Sequence, residues 1–285
     1  MNQIFFPTQM LRNPSDVKPV IHRIITRHSD TESNREDDAL TIEEPLEIRI
    51  RYHTQHGVFK TMSLAVTMRT PGDDAALAKG FLFTEGIVKE LSDITKVQEL
   101  EENIILLEMA PSVHLDAADL QRNFYTTSSC GVCGKASIES IHSDTIYLPW
   151  SSKFKMEKSL LFGLPQKLRL HQAQFEDTGG NHACALFDAQ GALVRVKEDV
   201  GRHNAMDKLI GSSDEFPISD HMVLVSGRAS FELVQKASKA GIPLMAAIGA
   251  PSSLAVQLAE EQGMGLVGFL KDQSFNVYVG ERVVF

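Results

Sequence analysis

Two of the chain's three cysteines stand three positions apart, in the stretch Thr126-Thr127-Ser128-Ser129-Cys130-Gly131-Val132-Cys133-Gly134-Lys135. A Cys-X-X-Cys pair presents two sulfurs a turn apart, and a neighbouring cation or helix N-terminus lowers a thiol pKa toward neutrality, where the nucleophilic thiolate is populated. Lys135 is such a cation, and Ala136-Ser137-Ile138-Glu139-Ser140-Ile141 offers a helix start. Gly131 and Gly134 free the backbone to bend and leave a partner room to approach. The segment reads as a mobile loop that presents thiols.

Three uses of such a pair compete. Structural zinc needs four ligands, and one pair leaves Cys184, His182 or His203 to complete the set without the usual second pair. A thioredoxin-like oxidoreductase carries its motif at a helix start after a strand, in a compact domain of about 100 residues; here the βαβ pattern lies far downstream. A sulfur carrier needs one nucleophilic cysteine on an accessible arm, to receive a sulfane sulfur as a persulfide and deliver it to a bound acceptor. A presenting loop joined to a fold that binds an anionic ligand suits this last use best.

The evidence for such a ligand lies in the second half of the chain. Ser226-Gly227-Arg228-Ala229-Ser230 and Gly249-Ala250-Pro251-Ser252-Ser253 each fall between an expected strand and an expected helix, and Lys271 follows a third strand. Two helix N-termini with two cations suit a diphosphate; the competing reading is ordinary turn and cap chemistry. Glu198-Asp199-Val200-Gly201-Arg202-His203-Asn204 packs more hydrogen-bonding groups than one helix cap uses, and His203 is placed to act as a general acid or base or as a ligand contact. Thr178, Asn181 and His182, on a glycine-rich loop, are candidates for the same cavity.

The elements that must position these groups can be read from periodicity. Residues 1–44 show no sustained period and are expected to form an arm, partly disordered. Residues 45–125 read as a small α+β domain. In it, Leu46, Ile48, Ile50 and Tyr52 alternate with Glu47, Arg49 and Arg51, a second strand runs through Met62 to Met68, a helix covers Ala75–Glu85, and a hairpin joins Ile94–Leu100 to Asn103–Met109. The mobile cysteine loop takes 126–136. Residues 137–285 then begin with helices from Met156 and from Pro165 through Gln172 and Phe175. The last third alternates strand and helix, the βαβαβ pattern of a parallel sheet, with Asn276–Val279 as an edge strand.

Composition narrows the class. A chain of 285 residues with 43% hydrophobic and 23% charged residues is that of a soluble globular protein. No apolar run approaches the roughly 18 residues of a membrane span, and the N-terminus lacks the pattern of a secretory signal. An odd cysteine count argues for a reducing cytoplasm over a disulfide framework. The net charge of −9 argues against sequence-independent nucleic-acid binding.

Taken in order, Ser129-Cys130-Gly131-Val132-Cys133-Gly134, Thr178-Gly179-Gly180, the Glu198–Asn204 run, Ser226-Gly227-Arg228 and Gly249-Ala250-Pro251-Ser252-Ser253 resemble the FdhD family of formate dehydrogenase accessory sulfurtransferases. Thr70-Pro71-Gly72-Asp73-Asp74 and Gly80-Phe81-Leu82-Phe83-Thr84-Glu85-Gly86 extend the likeness, which spans about residue 45 to the C-terminus.

The resemblance implies a homodimer with a cytidine-deaminase-like α/β domain. It implies that Cys130 takes sulfur from a cysteine desulfurase, with Cys133 assisting release. The acceptor is the molybdenum or tungsten bis-pterin guanine dinucleotide cofactor, bound as cargo before insertion into formate dehydrogenase and partly mimicked by guanine nucleotide. Cofactor contacts are expected from Thr178, Gly179, His182, Arg202, His203, Ser226, Gly227, Arg228 and Ser252, and from the stretch Phe269, Leu270, Lys271, Asp272, Gln273 and Ser274. No resident metal is expected. Zinc deaminase chemistry does not fit, since no His-X-Glu occurs and Ser129, not proline, precedes Cys130. The alternative is a non-catalytic molybdenum-cofactor chaperone with structural or redox-sensing cysteines, and sulfur loading on Cys130 separates the two.

Overall fold

A computed structural model describes residues 20–54, 57–113, 115, 147, 149, 152–281 and 283–284; the expected loop at 126–136, with Cys130 and Cys133, lies outside them.

The alternation that begins at Pro45 forms β3 (Glu44–His53), whose Leu46, Ile48, Ile50 and Tyr52 are all buried. It pairs antiparallel with β4 (Phe59–Arg69) and parallel with β6 (Ile104–Met109), which pairs antiparallel with β5 (Ile94–Glu101). The resulting four-stranded sheet has the order β4-β3-β6-β5. Helix α1 (Asp74–Thr84) crosses its inner face through Leu77, Leu82 and Phe83. Its first turn is tied down by Arg69, which is 3% exposed and forks onto Asp74 at 2.8 and 2.9 Å, the bidentate geometry that makes such pairs strong.

After three short helices, α2 (Lys158–Leu161), α3 (Leu164–Leu170) and α4 (Ala173–Thr178), the second sheet is built. Its strands are β7 (His182–Asp188), β8 (Leu193–Asp199), β9 (His221–Val225), β10 (Leu244–Ala247), β11 (Gly265–Gly268) and β12 (Asn276–Val279), in the order β12-β11-β10-β9-β7-β8. Strands β9, β10 and β11 are mutually parallel, and β7, β8 and β12 run antiparallel to their neighbours. The crossovers are α6 (Phe231–Lys239) and α7 (Ser253–Gln262), and α5 (Arg202–Gly211) follows β8.

Alternate residues of the six-stranded sheet feed two cores. Ala185, Phe187, Leu224 and Ala246 meet Met156, Leu161, Leu164 and Leu168 on one face. Cys184, Leu186, Val223 and Met245 face Leu209, Leu233 and Ala259 on the other, in a core that continues to Ile48, Ile50, Leu82 and Ile105 of the first sheet. Helices α1, α5 and α6 thus lie between two sheets, and the two expected domains share one core. Each fully buried Leu or Ile contributes roughly 1.5–3 kcal/mol to it.

Two expectations are corrected. Within the arm expected at 1–44, residues 20–41 form a hairpin, β1 (Val20–His28) with β2 (Ser33–Thr41). Most of its side chains are at least partly exposed on both faces, so no buried alternation marks it. Cross-strand pairs Arg27–Glu36 and His22–Asp37 hold it, and Thr41 Oγ1 anchors it 2.7 Å from Thr178 Oγ1 of α4. The helix expected from Pro165 through Phe175 is two helices, because the chain leaves helical geometry at Gln172 (ψ 70°). Thr178 therefore ends a helix, and Gly179 caps it in the left-handed region at φ 66°, a conformation glycine adopts without strain. Among the described residues no helix is long and apolar enough to cross a membrane.

Candidate functional site

The carboxyl ends of β9, β10 and β11 carry three turns stitched side by side by backbone hydrogen bonds. Gly249 N donates to Gly227 O at 2.9 Å, Ser252 N to Ala229 O at 3.0 Å, Phe269 N to Gly249 O at 3.0 Å and Leu270 N to Ala247 O at 3.0 Å. The stitching needs glycine at 249, where a Cβ would stand 2.9 Å from Arg228 Cγ and 3.0 Å from Gly227 O. Open α/β sheets bind ligands at this edge. Arg228 and Lys271 are exposed on it and Arg202 half-buried beside it. Among the described residues none of these three cations is held in an ion pair.

The hydroxyls expected at the site are already engaged. Ser226 Oγ accepts from Ala183 N at 2.9 Å, joining β9 to β7. Ser252 Oγ accepts from Ala255 N at 3.2 Å and caps α7. Thr178 Oγ1 donates to Gln174 O at 2.7 Å and accepts from Gly180 N at 3.1 Å. Of the three, Thr178 spends its proton on the backbone, while Ser226 and Ser252 act here as acceptors and keep their O–H groups to donate.

In the stretch 269–274 the structure separates the residues by role. Leu270 is 1% exposed and belongs to the core, so its side chain is not a ligand contact. Lys271 N donates to Ser274 O at 2.9 Å, closing a turn that exposes Lys271, Asp272, Gln273 and Ser274. Phe269 is 42% exposed and held at φ 53°. For a bulky L-residue that region costs on the order of 1–2 kcal/mol, and such strain concentrates at ligand clamps.

The other half of the site hangs from Asp199, which is fully buried. Its Oδ2 accepts from Lys208 Nζ at 2.7 Å and Thr70 N at 3.2 Å; its Oδ1 accepts from Gly201 N at 2.8 Å and Asn204 Nδ2 at 3.1 Å. Thr70 Oγ1 accepts from Val200 N at 3.0 Å and donates to Asn181 Oδ1 at 3.4 Å. The Thr70 turn is thereby locked to the Glu198–Asn204 turn, which places Arg202 and His203 in the first turn of α5. His182 pairs with Asp199 across the β7–β8 ladder and lies beside Gly227, where a Cβ would approach His182 Nδ1 to 3.5 Å. His182, Arg202, His203, Gly227 and Arg228 are thus brought together.

Two further groups bear on the chemistry. Glu232, which the motifs did not single out, puts Oε2 2.8 Å from His203 Nε2. Cys184 is fully buried, and burial, with the charges of Asp207 and Asp199, pushes its thiol far above its ordinary range, which disfavours it as a zinc-binding thiolate. A cleft of about 170 Å³ next to the Thr70 turn is lined by Asp73, Lys197, Glu198 and Lys208. Its charges are satisfied internally: Lys197 pairs with Asp73 at 2.8 Å, Lys208 with Asp199, and the Glu198 carboxylate accepts from Gln174 N and Phe175 N.

Burial, then the charges of Arg202 and His203, lower the pKa of His182 from its ordinary 6.5. A histidine whose folded pKa is depressed is protonated first in the unfolded chain, so stability falls as pH drops below about 6.5 toward the lowered folded value. Chemical unfolding at a series of pH values should show this slope, and a His182→Gln variant should flatten it. An unchanged slope in the variant would assign the effect elsewhere.

A sulfur carrier protein FdhD of Streptomyces avermitilis is 47% identical over 273 residues, covering 91% of this chain and 94% of its own length. One from Saccharolobus solfataricus is 39% identical, covering 91% and 96%. The solved structure of a formate dehydrogenase accessory protein from Desulfotalea psychrophila superposes with a TM-score of 0.74 at 20% identity, over 94% of this chain and all of that one, which shows a shared fold. The model of the FdhD/NarQ family matches residues 42–284, a span that takes in both sheets, the cysteine pair and the whole ligand edge, and the chain therefore belongs to the FdhD/NarQ family.

Proposed function

We propose that this chain is a cytoplasmic sulfur carrier for formate dehydrogenase maturation, acting as a homodimer. Cys130 takes persulfide sulfur from a cysteine desulfurase and passes it to a molybdenum or tungsten bis-pterin guanine dinucleotide, held as cargo, before that cofactor enters the formate dehydrogenase apoenzyme. The observation that carries the reading is 47% identity, over 91% of the chain, to a protein named as a sulfur carrier, in a sequence with a single Cys-X-X-Cys pair. The ligand edge supports it physically: backbone amides at strand-to-helix turns, with Arg202, Arg228 and Lys271, suit a diphosphate.

The loading step needs only thiol chemistry. The Cys130 thiolate attacks the outer sulfur of the donor persulfide, the donor's S–S bond breaks, the donor departs as a thiolate, and Cys130 keeps the sulfur as its own persulfide. For release, the Cys133 thiolate attacks the inner sulfur on Cys130, a Cys130–Cys133 disulfide forms, and the outer sulfur leaves as hydrosulfide toward the acceptor. Loss of Cys133 should therefore slow delivery and spare loading.

Intact mass after incubation with a cysteine desulfurase and cysteine tests the reading. The expected result is a reductant-sensitive gain of one sulfur in the wild type and none in Cys130→Ala. A wild type that gains nothing from a competent donor would instead be a cofactor chaperone whose cysteines are structural or redox-sensing.

A further inference from the structure

Helices α5 and α6 both start at the ligand edge, and two pairs of side chains one turn apart join them. The deep pair is Asp207 with Lys236, which are 1% and 5% exposed. Both carboxylate oxygens of Asp207 accept from Lys236 Nζ at 2.9 Å, while Thr84 Oγ1 donates to Asp207 at 2.7 Å and Lys236 reaches Glu85 at 3.0 Å. Four residues earlier on each helix stand His203 and Glu232, their side chains 15% and 13% exposed and their Nε2 and Oε2 2.8 Å apart.

Spacing of four residues puts each helix's two groups on one face, so the deep pair sets the register in which Glu232 meets His203. The signs reinforce this choice. Basic then acidic on α5 faces acidic then basic on α6, and a slip of one turn would set Lys236 against His203 and strip Asp207 of its partner. The approach of Nε2 to Oε2 lies off the line of a directed hydrogen bond, as in ligand-free sites whose bonds tighten on binding.

We infer that Glu232 is a positioning residue for the ligand edge: it draws the imidazole proton of His203 to Nε2 and fixes the ring, leaving Nδ1 as the nitrogen available to the ligand. The partner of one ring nitrogen decides which nitrogen carries the proton. The identity of the ligand rests on the proposed nucleotide cargo; the His203–Glu232 geometry does not.

Guanosine diphosphate serves as the probe, titrated calorimetrically into the wild type, Glu232→Gln, Glu232→Ala, His203→Ala and the Glu232→Ala/His203→Ala double variant. Nitrogen NMR at alkaline pH reads which atom of the His203 ring holds the proton. Each alanine variant should bind about tenfold more weakly, the double variant no more weakly than either, and Glu232→Gln, whose amide oxygen still accepts from Nε2, within about threefold of wild type. The ring proton should sit on Nε2 in the wild type and the Gln variant and be shared between nitrogens in Glu232→Ala. Wild-type binding by Glu232→Ala, or losses that add in the double variant, overturn the inference. A wild type that does not bind the probe overturns the nucleotide cargo instead, and the ring spectra then decide alone: a wild-type proton on Nδ1 sinks the inference, and one on Nε2 that is lost in Glu232→Ala sustains it.

Discussion

Asp199→Ala should lower the unfolding free energy by about 3–5 kcal/mol, the range for breaking a buried ion pair from one side. The substitution leaves the Lys208 ammonium, 2% exposed, without the carboxylate 2.7 Å away. It also strips the acceptor from Thr70 N and Gly201 N and one of the two acceptors of Asn204 Nδ2, which keeps Met68 O, and a buried donor left unpaired costs a further ~1–3 kcal/mol. Lys208 retains the Thr70 carbonyl at 2.8 Å, which limits the loss. Two companions separate charge from shape. Asp199→Asn keeps one acceptor oxygen and loses the negative charge, so it should fall between wild type and Ala. Asp199→Ala combined with Lys208→Met removes the stranded cation and should recover a large part of the loss, because apolar replacement of both partners is often close to neutral. Urea unfolding measures all three. A loss under about 1 kcal/mol in the single variant would show that the Thr70 and Glu198–Asn204 turns are held by something else. With those turns loosened, Arg202 and His203 lose their placement, and affinity for the proposed nucleotide cargo should fall in the same variant.

Sequence periodicity made legible the elements whose burial is written into side-chain chemistry. Strand β3 shows itself because Leu46, Ile48 and Ile50 are buried while Arg49 and Arg51 reach solvent, and β9 to β11 show themselves as short apolar runs covered on both faces. The turns after those strands were legible as turns, since glycine and serine between strand and helix mark a chain reversal, and Ser252 does cap α7 there. What escaped depends on long-range pairing, which no local pattern encodes. Lys208, Lys236 and Lys239 are all under 6% exposed, although lysine in a sequence reads as surface; the carboxylates that hold the first two, Asp199 and Asp207, are known only once α5 is folded onto β8 and α6. Glu232 likewise becomes notable only when His203 arrives from another helix. Ser226, Ser252 and Thr178 were expected at the ligand because of their type and place, and each also has a structural task that its type does not reveal: Ser226 ties β9 to β7, Ser252 caps α7 and Thr178 closes the end of α4. The division into two domains followed the run of strands and helices along the chain, whereas α1 packs on the first sheet and against α5, which packs on β7 and β8, so that one core runs through both.

Gly80→Ala should cost about 3 kcal/mol or more, against the usual trend for a helix interior, where alanine is favoured over glycine by roughly 1 kcal/mol. The reason is the crossing of α1 over α5. A Cβ on Gly80 would stand 1.9 Å from Asp207 O, 2.6 Å from its carbonyl carbon and 2.9 Å from its Cα, and one on Gly211 would stand 2.0 Å from Ala76 O and 2.4 Å from Gly80 N. All of these are backbone atoms, so no rotamer change relieves the overlap and the helices must part. Overpacking against movable side chains typically costs 1–3 kcal/mol; against rigid backbone the upper end is the starting point. Parting the helices also stretches the bond from Thr84 Oγ1 to Asp207 at 2.7 Å and exposes the Asp207–Lys236 pair, so the strain spreads into the buried charges. Gly163→Ala is the control, since a Cβ there meets nothing within 4 Å and φ is −84°; its stability should stay within about 1 kcal/mol of wild type. Urea unfolding of the two variants side by side decides the matter, and a Gly80→Ala chain as stable as the control would mean that the helices can separate freely. The consequence reaches the ligand edge, because Asp207 lies one turn below His203 on the same face of α5. A displaced α5 carries His203 away from Glu232, and, on the proposed nucleotide cargo, any Gly80→Ala protein that remains folded should bind guanosine diphosphate more weakly than the control even though residue 80 lies far along the chain from every proposed ligand contact.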